Sequence, residues 1–190
     1  TKEHGWCGAL TLPRELSLSA DEKIIMKPVA ELESLRTQEL PLNVASVSDE
    51  VIKTDINEEL LELKVAFSLK NLTAKEFGIK VRCSEDGTEE TLIGIDVETS
   101  KLVLDREHSG KGVKGIRKTA INLEGDTVTL HVFLDRSSVE VFANDGAVTM
   151  TSRIYPKTTS LNVQFYAVNG KVDIASAQAW KLADIWESQK

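Results

Sequence analysis

Aromatic side chains are scarce: Phe, Trp and Tyr make up 5% of the 190 residues, and Trp6, Trp180 and Trp186 all lie near the ends. A broad face of exposed rings on which sugars could stack is not evident. Cysteine is scarcer still. Cys7 and Cys83 lie far apart with no Cys-x-x-Cys spacing, which fits two buried thiols or one disulfide and fixes no compartment. The three histidines, His4, His108 and His131, never fall in the close pairs of a zinc-binding element, so no metal or cofactor is expected. His131, inside a strand-like stretch, reads as a satisfied structural histidine. No basic excess is present either. A formal net charge of −7 argues against nucleic acid or an anionic membrane surface as partner. No apolar run approaches the roughly 20 residues that cross a bilayer. The opening Thr1 to Trp6 has neither a start methionine nor a signal peptide's apolar run. The chain therefore reads as a piece of something longer, with localisation open between cytoplasm and secretion.

The hydrophobic content of 41% and charged content of 28% are those of an ordinary globular protein, with room for one large domain and a short extra segment. The most informative stretch is Thr127 to Pro156. Leu130, Val132 and Leu134 share one parity; Val139 and Val141 oppose Glu140 and Phe142; Val148, Met150 and Ile154 share another parity. Reversals at Arg136-Ser137-Ser138 and Asn144-Asp145-Gly146 separate them, and the Asp-Gly step supplies the positive φ of a tight hairpin. Three short antiparallel strands are expected.

The pattern extends back to Leu60. Leu61, Leu63, Val65, Phe67 and Leu69 alternate with Glu62, Lys64, Ser68 and Lys70. Phe77, Ile79, Val81 and Cys83 repeat the alternation before the Asp86-Gly87 turn. Strands at Thr91 to Val97 and Lys101 to Asp105 follow, then a basic, glycine-rich loop from Arg106 to Lys118. After the meander, Leu161, Val163, Phe165 and Ala167 alternate up to Asn169-Gly170, and Val172, Ile174, Trp180 and Leu182 close the chain. Roughly nine or ten strands at about 8–12-residue spacing make an all-β sandwich of two antiparallel sheets, of concanavalin A-like or jelly-roll type. Ahead of it, Gly5 to Ser19 reads as extended pieces broken at Pro13, with a strand around Ile24 to Met26. A short helix is expected over Pro28 to Arg36, where Val29, Leu32 and Leu35 fall at helical spacing. Pro41 and the polar Ser46 to Asn57 read as a linker or an irregular entry into the next domain.

Among constellations that carry chemistry, Gly110-Lys111-Gly112-Val113-Lys114-Gly115 matches a dinucleotide-binding fingerprint in letters only. No buried strand precedes it and no helix follows, so a basic surface loop is the reading. Asp135 and Glu140 flank a tight reversal, and three readings are open. Asp135 caps the turn while Glu140 faces solvent or pairs with Arg136; or Asp135, Arg136 and Glu140 form a polar cluster that contacts sugar; or the two carboxylates form a hydrolytic dyad, which requires an acid with a raised pKa in a pocket.

Val132 to Gly146, VFLDRSSVEVFANDG, ending in Arg153-Ile154-Tyr155-Pro156, resembles the C-terminal sandwich domain of glycoside hydrolase family 32, the β-fructosidases that include invertases, levanases, inulinases and sucrose-6-phosphate hydrolases. Leu104-Asp105-Arg106 with Ser109-Gly110 is similar to a second element of that family. Gly5-Trp6 with Leu12 to Leu16, LPREL, resembles the exit from the family's propeller, and Pro28 to Arg36 resembles the interdomain segment. The resemblance implies a catalytic five-bladed β-propeller upstream in the same polypeptide, acting on sucrose or fructan. The family's Trp-Met-Asn-Asp-Pro-Asn, Arg-Asp-Pro and Glu-Cys motifs are absent here, so no catalytic residue is assigned. Residues 1–40 are then expected to be a propeller remnant with linker, and 41–190 the sandwich. Its implied role is to pack on and stabilise the propeller, with a homo-oligomer as a further possible assembly. Asp135, Arg136 and Glu140 become turn and edge residues, or else the contacts of a carbohydrate-binding module.

Overall fold

The computed structural model describes residues 8–185, so His4, Trp6, Cys7 and Trp186 lie outside the described residues. Fifteen strands are formed among the described residues, every ladder antiparallel. They are β1 (Arg14–Leu18), β2 (Ile24–Pro28), β3 (Arg36–Leu40), β4 (Ser46–Ser48), β5 (Val51–Asn57), β6 (Leu61–Ser68), β7 (Glu76–Cys83), β8 (Thr91–Asp96), β9 (Lys101–Asp105), β10 (Ile116–Ala120), β11 (Thr127–Asp135), β12 (Ser138–Ala143), β13 (Val148–Arg153), β14 (Asn162–Val168) and β15 (Lys171–Leu182). A six-stranded sheet runs β10-β9-β8-β7-β14-β5. It faces a seven-stranded sheet, β13-β12-β11-β6-β15-β3, with β4 also on β15. β1 and β2 form a separate two-stranded ribbon.

The sandwich follows from period-two patterning on both sheets. Phe77, Ile79, Val81, Ile93, Ile95, Leu102, Leu104 and Phe165 from one sheet meet Leu61, Leu63, Val65, Phe67, Leu130, Val132 and Val141 from the other, all buried in one core. Phe67 is the centre of an aromatic knot, with ring centroids 5.0 Å from Phe77 and 6.2 Å from Phe165. Burial on this scale supplies the main driving force for pairing the sheets. The meander forms as expected. Its first reversal leaves Arg136 and Ser137 between the paired Asp135 and Ser138, and its second places Asn144, Asp145 and Gly146 all at positive φ.

The short helix expected over Pro28 to Arg36 forms as a 3-10 helix, Ala30–Leu35. The region after it differs from the sequence reading. The stretch expected to be a linker contains β4 and β5. In β5 only Ile52, Thr54 and Ile56 turn inward, while Val51, Lys53, Asp55 and Asn57 are exposed, so an edge strand with one covered face carries a weak apolar signal. β3, too, pairs with β15 in the seven-stranded sheet. The glycine-rich segment is strapped to Tyr155: the Lys111 amide donates to the Tyr155 carbonyl at 3.0 Å, and the Tyr155 amide to that of Ser109 at 3.0 Å. β10 follows it, not a helix, so no pyrophosphate site is formed there.

Candidate functional site

The outer face of the seven-stranded sheet does not follow the solvent-facing pattern its charges suggest. Register places Thr151, Glu140, Phe133, Glu62 and Trp180 side by side in one row across five strands. Phe133 therefore sits between two carboxylates. Glu62 is 1% exposed and Glu140 4%: Arg36, opening the edge strand β3, reaches Glu62, and a covering segment ahead of the sandwich, residues 12–14, reaches Glu140.

Each carboxylate is met by an arginine, Glu62 by Arg36 of β3 and Glu140 by Arg14 of the ribbon. Arg36 donates to Glu62 in a fork, Nε to Oε2 at 2.8 Å and Nη2 to Oε1 at 2.6 Å, and its guanidinium stacks 4.0 Å from the Trp180 ring. His131 Nε2 lies 2.7 Å from Glu62 Oε1, so His131 is a satisfied structural histidine. Burial alone pushes the Glu62 carboxyl up, but the hydrogen bonds from Arg36 and His131 outweigh it and hold the group below its ordinary 4.5. Glu140 accepts from the Leu12 amide at 2.6 Å, from Arg14 Nη2 at 2.6 Å and from the Thr151 hydroxyl at 3.2 Å. Arg14 also lies over the Phe142 ring, 5.2 Å from its centroid.

Beside Glu140 a groove of about 510 Å³ opens between Leu10 to Pro13, the 3-10 helix at Leu32 and Leu35, the first reversal of the meander, and the end of β15. Asp135, Arg136 and Glu140 all line it, so the structure brings the three sequence candidates to one place. Asp135 caps its turn as expected, its Oδ1 accepting from the Arg136 amide at 2.6 Å. The reading of Glu140 as a solvent-facing residue or a partner of Arg136 is corrected. Arg136 instead reaches Glu59 at 3.0 Å and Asp184 at 2.6 Å. A strand directs alternate side chains to opposite faces, and from the far side of the turn Glu140 meets the covering segment first. The hydrolytic dyad finds no support in this geometry, since a carboxylate engaged by a guanidinium, an amide and a hydroxyl is not placed to deliver a proton.

Sequence reasoning missed Glu62 and Arg36. A signal was present: His131, Phe133 and Phe142 occupy the parity assigned to solvent, and three rings there imply a covered face. Among the described residues no group of three or more His, Cys, Asp or Glu could hold a metal ion, and no helix is long and apolar enough to cross a membrane. Cys83 is buried, and burial pushes its thiol up to about 12.

A family model described as "Glycosyl hydrolases family 32 C terminal" matches residues 31–181. The sucrose-6-phosphate hydrolase of Zymomonas mobilis is 38% identical over 188 residues, covering 97% of this chain but 36% of that protein. The levanase of Bacillus subtilis is 33% identical, covering 95% of this chain and 28% of the levanase. Among solved structures, exo-inulinase from Aspergillus awamori superposes with a TM-score of 0.84 at 26% identity, over 93% of this chain and 36% of that one. The chain thus spans about a third of the length of the relatives it matches.

Proposed function

Because the chain belongs to the family 32 glycosyl hydrolases as their C-terminal domain, we propose that it is the non-catalytic sandwich of a β-fructosidase, packing on and stabilising a catalytic β-propeller that precedes it in the same polypeptide. The relatives are named for sucrose-6-phosphate, levan and inulin, so a β-fructoside such as sucrose or a fructan is the substrate class of the whole enzyme. The observation that carries this reading is the ribbon of β1 and β2. It pairs with neither sheet, and its register sets Leu16 and Leu18 on one face with Ile24, exposed at 66%, 69% and 58%. An apolar face on an isolated ribbon calls for a covering partner. The ribbon also lies outside the residues matched by the C-terminal family model, which supports a boundary near residue 30. In the isolated chain the same face is the expected seat of any homo-oligomer.

The test is turnover of sucrose and inulin by the 190-residue chain and by the polypeptide that includes the upstream coding sequence. Activity only in the longer protein is expected; turnover by the isolated chain overturns the proposal.

A second reading is a fructan-binding module with Asp135, Arg136 and Glu140 as contacts. One observation favours it, the convergence of all three on one groove. It ranks second because Glu140 is already engaged and half of the residues that line the groove are leucine, proline or phenylalanine, a poor match to sugar hydroxyls. Retention of the chain on a fructan gel, lost on Arg136→Ala without loss of thermal stability, supports this reading; no retention removes it.

A further inference from the structure

We propose that Glu140 is the anchor by which the sandwich grips the unit preceding it, and that the β1–β2 ribbon is the element gripped. This rests on the reading of an upstream catalytic domain and names the residues that couple the two.

Among the described residues, the hydrogen-bond donors to Glu140 other than Thr151 come from residues 12–14, upstream of the matched family domain. Arg14 is held in turn. Its Nη2 donates to Thr151 at 2.6 Å, and its Nη1 lies 3.7 Å from the Met26 sulfur on the facing strand of the ribbon. A second grip lies at the other reversal of the meander, where the Met26 amide donates to the Gly146 carbonyl at 3.0 Å. Gly146 has φ +87°, and a Cβ there would run into the Met26 carbonyl, so both conformation and close approach require glycine. The base of the ribbon is closed by the Val29 amide on the Pro13 carbonyl at 3.2 Å. Further upstream, Arg153 Nη1 donates to the Gly8 carbonyl at 3.1 Å.

The ribbon is thus held to the meander through Arg14 and Met26, while Leu16, Leu18 and Ile24, which share their face by register, lie toward the turn end of the ribbon and stay exposed. A two-stranded ribbon alone is marginal in water. Gripped here and covered there, it becomes a rigid bridge. The occupant of the exposed face is the upstream part of the same polypeptide, since the matched family model is a C-terminal one and the chain spans 36% of its relative's length. Glu140 is then a positioning residue that acts through Arg14.

The experiment uses the polypeptide with its upstream domain. Glu140→Gln, Arg14→Met and the exchange Arg14→Glu with Glu140→Arg are compared with Glu62→Gln, by calorimetry and by trypsin nicking at Lys23 in the exposed ribbon turn. Expected is one melting transition in the parent protein, two in either single anchor variant, nicking accelerated roughly tenfold, and recovery of both in the exchanged pair. Glu62→Gln shifts the transition as a whole without faster nicking. A single transition and unchanged nicking in Glu140→Gln overturn the anchor, as does failure of the exchange to restore what both single variants lose. An upstream sequence without the three carboxylate motifs instead overturns the reading of an upstream catalytic domain, so the two failures are distinguishable.

Discussion

Glu62 and Glu140 stand on the same face of the same sheet, one residue to either side of Phe133, and are buried alike, yet they serve different ends. Glu62 is gripped by Arg36 and His131, both inside the matched family domain. Glu140 is gripped by Leu12 and Arg14, both outside it. The difference teaches that one buried carboxylate builds the domain while its neighbour attaches what comes before it. Burial alone does not distinguish the two; the origin of the donors does.

The largest expected effect is at Glu62. Truncation by Glu62→Ala removes three hydrogen bonds and leaves Arg36 with the Trp180 ring and, as its ion-pair partner among the described residues, the exposed Glu33 at 3.4 Å. Losing one member of a buried pair costs about 3–5 kcal/mol, to be read as a lower urea midpoint at unchanged slope. Glu140→Ala is milder because Arg14 keeps the Thr151 hydroxyl. The unpaired Leu12 amide and the lost charged contact amount to about 2 kcal/mol. If the two variants lose equal stability in the isolated chain, the contrast between a domain-building and a domain-attaching carboxylate breaks.

Acid sharpens the same contrast. The folded pKa of Glu62 is lowered, so its contribution is fully present above its unfolded value of about 4.5 and is lost as pH falls through the folded value. Unfolding free energy measured from pH 6 to pH 3 is expected to fall in the parent protein and to fall less steeply in Glu62→Gln. The surface aspartates Asp21, Asp86 and Asp96, lowered by their hydroxyl, lysine and amide partners, contribute to both curves and cancel in the difference. Parallel curves would show that the fork on Glu62 is not worth its geometry.

Much of this molecule was legible from its residues, and the boundary of legibility is physical. Period-two alternation reports a half-buried sheet, so the strands carrying Phe67, Phe77, Ile95, Val132 and Phe165 stood out, as did the turns at Asn144-Asp145-Gly146 and Asn169-Gly170. The motifs in the meander pointed to the family before any geometry was known. β5 did not stand out, because Lys53 and Asp55 face water on an edge and leave only Ile52 and Ile56 as signal. The anchor residues were illegible for another reason. Alternation assigns Glu62 and Glu140 to an outer face, and no local pattern states that Arg36 will reach the one or Leu12 and Arg14 the other.

Arg136 carries the smallest expected effect and gives the cleanest control on the comparison. Its side chain is 49% exposed, and its bonds to Glu59 and Asp184 lie at the rim of the groove. Exposed ion pairs contribute about 0.2–1 kcal/mol each, so Arg136→Ala is expected to lower the thermal midpoint only slightly. That near-neutrality makes the substitution useful. Asp135, Arg136 and Glu140 line one groove, but only Glu140 is tied into the covering segment, so a binding defect at Glu140 would be confounded with loosening of the ribbon. At Arg136 it would not be. A fall in stability as large as that of Glu140→Ala would mean that the groove's rim, as well as its buried carboxylate, holds the chain ahead of the sandwich in place.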